Sequence, residues 1–158
     1  MSCYGNQSYI VIDGFMDEAQ VYRDQYGADF MLLVQKCGEY AGMAWVAEPK
    51  GADYYSYAVY ASGYVYGRVW SHEMGHLQGC QHDRISTNAG SRAYDGYGNC
   101  WEDASKTDCT CYSSIMTYKC KTFPNNCTAC TGRDYYANVN VYNAGNPTGI
   151  YTTLFHML

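Results

Sequence analysis

Apolar positions follow two periods in the first half of the chain and lose any period in the second. Residues 17–26 carry Ala19, Val21 and Tyr22 as a short apolar stripe, which predicts a helix. Residues 29–34 form a continuous run after Gly27, ending Phe-Met-Leu-Leu-Val, and predict a strand buried on both faces. Residues 42–46 predict a second strand. Residues 55–60 predict a third, half-exposed because Tyr suits such a surface. Residues 63–77 predict a helix despite Gly67 and Gly75, each of which costs about 1 kcal/mol relative to Ala. On that helix Val65, Val69, His72 and His76 share one stripe. Beyond residue 83, Gly, Asn, Ser and Cys dominate and loops are expected. Helices mixed with mostly parallel strands, then a looped half, predict an α/β (α+β) domain.

Composition narrows the class. A length of 158 residues fits one domain, with residues 1–79 as a sheet-and-helix half and 80–158 as a Cys-rich, loop-dominated half. Lys plus Arg number 10 against 15 Asp plus Glu, so binding to nucleic acid by phosphate neutralisation is not expected. No apolar run reaches the roughly 18 residues of a membrane helix. Six of the nine Cys fall within residues 100–130, which suggests disulfides in an exported protein or metal binding in a cytosolic one. The first fifteen residues or so show no signal-peptide pattern, so any such peptide would be absent from this chain. Sequons at Asn6 and Asn126 fit an extracellular surface.

The chemistry concentrates in residues 72–83, His-Glu-Met-Gly-His-Leu-Gln-Gly-Cys-Gln-His-Asp. Two His four apart on a helix lie one turn apart on one face, so His72 and His76 can converge on one ion. Gly79 can adopt a left-handed conformation without steric cost, ending the helix and turning the chain so that His82 reaches the same ion. Three neutral imidazoles leave a fourth position open, as in catalytic zinc sites. Glu73 sits about 100° around the helix from His72, placed to move a proton rather than to ligate. Five fixed positions, three of them a rare residue type, arise by chance in a chain this long on the order of once in 10⁵.

These residues resemble the metzincin zinc endopeptidases. Ser114-Ile115-Met116-Thr117-Tyr118 resembles the methionine turn of that family, with Met116 as the hydrophobic floor beneath the metal. The resemblance implies that Tyr118 is a metal ligand at rest and a hydrogen-bond donor to the oxyanion in turnover. Asp83, directly after the third His, resembles the adamalysin (reprolysin) group, where it braces the methionine turn. The stretches 13–18, 22–29, 136–139 and 147–149 are similar to bacterial reprolysin-like enzymes close to the peptidyl-Asp metalloendopeptidases. The family's fold is a mixed, mostly parallel twisted sheet with an antiparallel edge strand above the active-site helix. A peptide substrate extends that edge, and Tyr57, Ala58, Val59 and Tyr60 are the expected edge. Against the family pattern the single domain, 1–158, is expected to be truncated at both ends.

The cysteines leave alternatives open. Cys109, Cys111, Cys127 and Cys130 could form a four-thiolate zinc site, though disulfides are favoured. Six Cys allow 15 pairings. Cys37 and Cys80 are the natural remaining pair, with Cys3 the odd thiol. Asp95, Asn99, Glu102 and Asp103 are oxygen-rich enough to consider Ca2+, with a solvated loop the favoured alternative. The expected function is a secreted zinc-dependent endopeptidase acting on protein or peptide substrates, with a monomer favoured. The alternative is a non-catalytic extracellular binding module with a structural zinc.

Overall fold

A computed structural model describes residues 18–36, 40–46, 56–64, 67–87, 96–108, 110–120 and 130–149. The expectations for Cys3, Cys37, Val65, Asp95, Cys109 and Cys127, and for both sequons, lie outside the described residues. The chain divides after Gly79 into two compact units, Met1–Gly79 and Cys80–Leu158.

The first unit begins, among the described residues, with α1 (Glu18–Tyr26). Glu18 in its first turn complements the helix dipole. Gly27, at φ +60°, closes the helix, and the amide of Ala28 donates to the Arg23 carbonyl at 2.9 Å. The expected apolar stripe is not the buried face: Val21 and Tyr22 are exposed, and Arg23 is buried. The Arg23 guanidinium lies 5.6 Å from the centre of the Tyr57 ring and pairs with Asp24 at 3.0 Å. A flat cation on an apolar stem can cover an aromatic ring, so charge alone does not send it outward.

Among the described residues, three strands form the sheet of this unit. β1 (Met31–Gln35) runs parallel to β3 (Tyr57–Ala61), with Met31 opposite Tyr57 and Gln35 opposite Ala61. β2 (Gly42–Ala44) runs antiparallel to β3, with Gly42 opposite Tyr60. The order is β1-β3-β2, which corrects two expectations. Tyr57 to Tyr60 are not an edge strand but the central one, hydrogen-bonded on both sides and buried throughout. Among the described residues the antiparallel edge is β2. β1 is not buried on both faces either, since Leu33 and Val34 are 38% and 51% exposed. The second helix, α2 (Val69–Leu77), starts six residues later than its pattern predicts. A single 3-10 turn, Ser62–Tyr64, occupies part of the expected span. Gly63 and Gly67 weaken helix formation there. α2 packs against β2 and β3.

The second unit is built from short strands, turns and disulfides. β4 (Cys100–Glu102) pairs antiparallel with β5 (Cys111–Ser113), which pairs parallel with β6 (Thr131–Gly132). Trp101 is buried, and its indole N–H donates to Asn143 Oδ1 at 3.3 Å. β7 (Tyr142–Asn143) and β8 (Asn146–Pro147) form a hairpin over Ala144 and Gly145, both at positive φ (52° and 82°). Positive φ at both central positions matches the right-handed twist of a two-residue hairpin.

Disulfides join Cys100 to Cys120 and Cys111 to Cys130. Cys111 and Cys130 are thus consumed in a bridge, which rules out the four-thiolate zinc site. Cys80 retains its thiol, so the expected bridge to Cys37 is not formed. The phenol of Tyr136 is pushed up by burial and by the neighbouring Cys80. No helix among the described residues is long and apolar enough to cross a membrane.

Candidate metal centre

α2 presents His72, Glu73 and His76 on buried positions. The two imidazole rings meet edge to face, 4.8 Å between centroids and 87° between planes. Glu73 is 4% exposed, and burial pushes its carboxyl up to about 7. The helix ends at Leu77. Gly79 follows at φ +90°, with its amide donating to the His76 carbonyl at 2.8 Å. A side chain would be strained there, so glycine lets the chain leave the helix axis at this point.

The chain beyond this turn is fixed on both sides of His82. The Gln81 amide donates to Gly96 O at 2.7 Å, and the Gly98 amide donates to Gln81 O at 3.1 Å. On the other side, the Asp83 carboxylate is 4% exposed and accepts five hydrogen bonds. Its Oδ2 accepts from the amides of Tyr118 (2.8 Å) and Lys119 (2.9 Å) and from the Ser86 hydroxyl. Its Oδ1 accepts from the amides of Ile85 and Ser86. Burial alone would raise this carboxyl. The Lys119 and Tyr118 amides and the Ser86 hydroxyl and amide outweigh it, so the group sits below its ordinary value.

Met116 is 1% exposed, at the bottom of a tight turn in which the Thr117 amide donates to Ser114 O. Ser114 is fully buried, and its Oγ accepts from the Asn99 amide at 3.0 Å. The Thr117 hydroxyl donates to Asn99 O at 3.0 Å. Gly98 lies flat against this turn: a Cβ there would fall 2.6 Å from Met116 O. Thr148, also fully buried, joins the assembly through Asn99 Nδ2, which donates to its carbonyl at 3.0 Å. Gly98 was not anticipated from the sequence; Asn99 was considered there only for calcium, and Ser114, Thr117 and Thr148 only as parts of matching stretches, without these contacts. The ring of Tyr118 lies on that of His82, 3.9 Å between centroids.

Each of His72, His76 and His82 offers a ring nitrogen, and the three nitrogens lie within 4.8 Å of one another. The donors of this group are all imidazoles, a set suited to a divalent ion such as zinc. Of the oxygen-rich group considered for Ca2+, Asp95 lies outside the described residues. Asn99 donates its Nδ2 to Thr148 O, and Asp103 accepts from Ser105 and Tyr112. The sulfurs of Cys100, Cys120 and Cys130 also lie close together, but all three are in disulfides.

The sequence model of the metallo-peptidase family M12 matches residues 4–130. The chain belongs to metallo-peptidase family M12. Peptidyl-Asp metalloendopeptidases from two strains of Stenotrophomonas maltophilia are each 31% identical to it over 141 residues, 87% of this chain. The alignments cover 31% and 30% of those proteins. A peptidyl-Asp metalloendopeptidase of Xanthomonas campestris pv. campestris is 30% identical over 144 residues, 87% of this chain and 30% of its own. This M12 chain thus spans about a third of the length of the relatives it matches. No solved structure matches it.

Proposed function

We propose that this chain is the catalytic part of an exported zinc endopeptidase of the metzincin kind, which hydrolyses internal peptide bonds of proteins. The observation that carries the reading is a group of three imidazoles able to hold one ion, with a buried carboxylate next in sequence to the first of them. Membership of family M12 and the name of the relatives support it. The two disulfides support an oxidising, extracellular setting.

His72, His76 and His82 are the proposed zinc ligands. Zinc, when bound there, supplies Lewis acidity that polarises a carbonyl and makes water nucleophilic near neutral pH. The rest of the work falls to the chain. Glu73 takes a proton from the attacking water and returns it to the leaving amine. Tyr118, beside His82, donates its phenolic hydrogen to the oxygen on which charge develops. Met116 and Asp83 hold the turn that carries Tyr118. An extended peptide adds to the sheet along β2, which has one described neighbouring strand.

The test is hydrolysis of casein and of a quenched-peptide pool, with and without chelator, by the wild type and by Glu73→Ala. Chelator-sensitive cleavage by the wild type alone is expected. Stoichiometric zinc with no cleavage by either protein would instead favour a binding module with a structural metal. Equal turnover by both proteins would remove Glu73 as the base. The preference for Asp in the relatives' name is not carried over, and cleavage-site profiling on a proteome-derived peptide library reads this chain's own.

A further inference from the structure

Gly42 stands on the edge strand β2, and its backbone does not demand glycine. Its φ lies outside the left-handed region, unlike those of Gly27, Gly79 and Gly145, so alanine could take the same backbone conformation. What Gly42 provides is space. A Cβ there would lie 2.5 Å from Oε1 of Glu73, 2.8 Å from Cγ of Glu73 and 2.6 Å from Cγ1 of Val69. The Glu73 side chain and the first residue of α2 therefore fill the place where a side chain would otherwise stand. By contrast, a Cβ at Gly63 meets nothing within 4 Å.

We propose that Gly42 is a positioning residue for catalysis: its missing side chain forms the notch that seats the Glu73 carboxylate against the edge strand. The inference rests on the reading of Glu73 as the base. The physical argument is one of packing. Glu73 is buried, so its carboxylate has few places to go when the notch is filled. Oε1 is nonetheless the free end of a three-torsion side chain, and it moves before the strand does. A methyl group at position 42 is expected to displace the carboxylate while β2 keeps its pairing with β3. Ala is also no worse a strand residue than Gly, so the sheet itself is not weakened. Misplacing a reacting group by about 1 Å costs on the order of 100-fold in rate.

Three kinds of variant test this in the zinc-loaded protein. Gly42→Ala is expected to lower kcat by about 10- to 100-fold with KM nearly unchanged and zinc stoichiometry retained. Gly63→Ala, in the open 3-10 turn, is expected to leave both constants unchanged. Glu73→Asp, one methylene shorter, should no longer fill the notch. Adding Gly42→Ala to it should then cost far less than the same change costs the wild type, a coupling that a double-mutant cycle reads directly. Wild-type kcat in Gly42→Ala, or equal losses in both backgrounds, would overturn the positioning role. Retention of turnover by Glu73→Gln would instead overturn the assignment of the base, so the two failures are told apart.

Discussion

The ring of Tyr118 covers that of His82 at 3.9 Å, with the two planes inclined by 33°. The phenol is otherwise 64% exposed, so this contact places an accessible hydroxyl beside a proposed metal ligand. Tyr118→Phe keeps the stacking and removes only the hydroxyl. It is expected to lower kcat by about 100-fold with zinc affinity preserved, as measured by turnover alongside a chromogenic metal-release assay. Tyr118→Ala also removes the stacked ring, and weaker zinc retention is expected in addition.

The Asp83 carboxylate accepts five hydrogen bonds. Asp83→Ala leaves the amides of Tyr118 and Lys119 without their acceptor, with an expected loss of about 2–4 kcal/mol in urea unfolding. The pH dependence follows from the direction of its shift. Its folded-state value lies below the unfolded one, so its contribution is present above the unfolded value and is lost as pH falls through the folded one. Unfolding midpoints measured downward from about pH 5 should fall more steeply for the wild type than for Asp83→Asn.

Glu73 has the opposite sign. Burial raises its folded-state value to about 7 in the metal-free chain. Its contribution to stability is therefore present below the unfolded value, about 4.5, and is lost as pH rises through about 7. Glu73→Gln is expected to raise the stability of the metal-free protein at pH 8 by about 1–2 kcal/mol while abolishing cleavage. Thermal melts of the chelated protein at pH 5 and pH 8 check this. Equal melting shifts at the two pH values would remove the burial argument.

The bridges Cys100–Cys120 and Cys111–Cys130 close segments with separations of 20 and 19 residues. Replacing either pair with Ser is expected to cost about 3 kcal/mol, chiefly through a freer unfolded chain. The effect should appear as a lower urea midpoint. Because the three imidazoles lie outside both closed segments, zinc stoichiometry of the folded fraction should be unchanged.

The proposed metal ligands stood out in the sequence because their spacing is local. Helical periodicity alone brings His72 and His76 together, and a glycine at residue 79 marks the end of the helix. The residues around them were hidden for physical reasons. Tyr57 to Tyr60 read as a half-exposed strand because Tyr suits such a surface, but strand order depends on pairing with distant segments, and β1 and β2 enclose them. Arg23 looks like a surface residue until an aromatic ring is brought under it. Gly42 and Gly98 matter for what approaches them, and a missing side chain leaves no periodic mark. Ser114 and Thr148 are small polar residues of a kind loops use everywhere, and only their partners make them part of the core.

The imidazoles come from an eleven-residue stretch, so little chain entropy opposes gathering them around an ion. The Tyr118 hydroxyl depends on a more distant event, because Asp83 must capture amides 35 and 36 residues downstream. The proposed ligands and the turn that carries Tyr118 thus draw on very different lengths of chain, eleven residues for the first and more than thirty for the second.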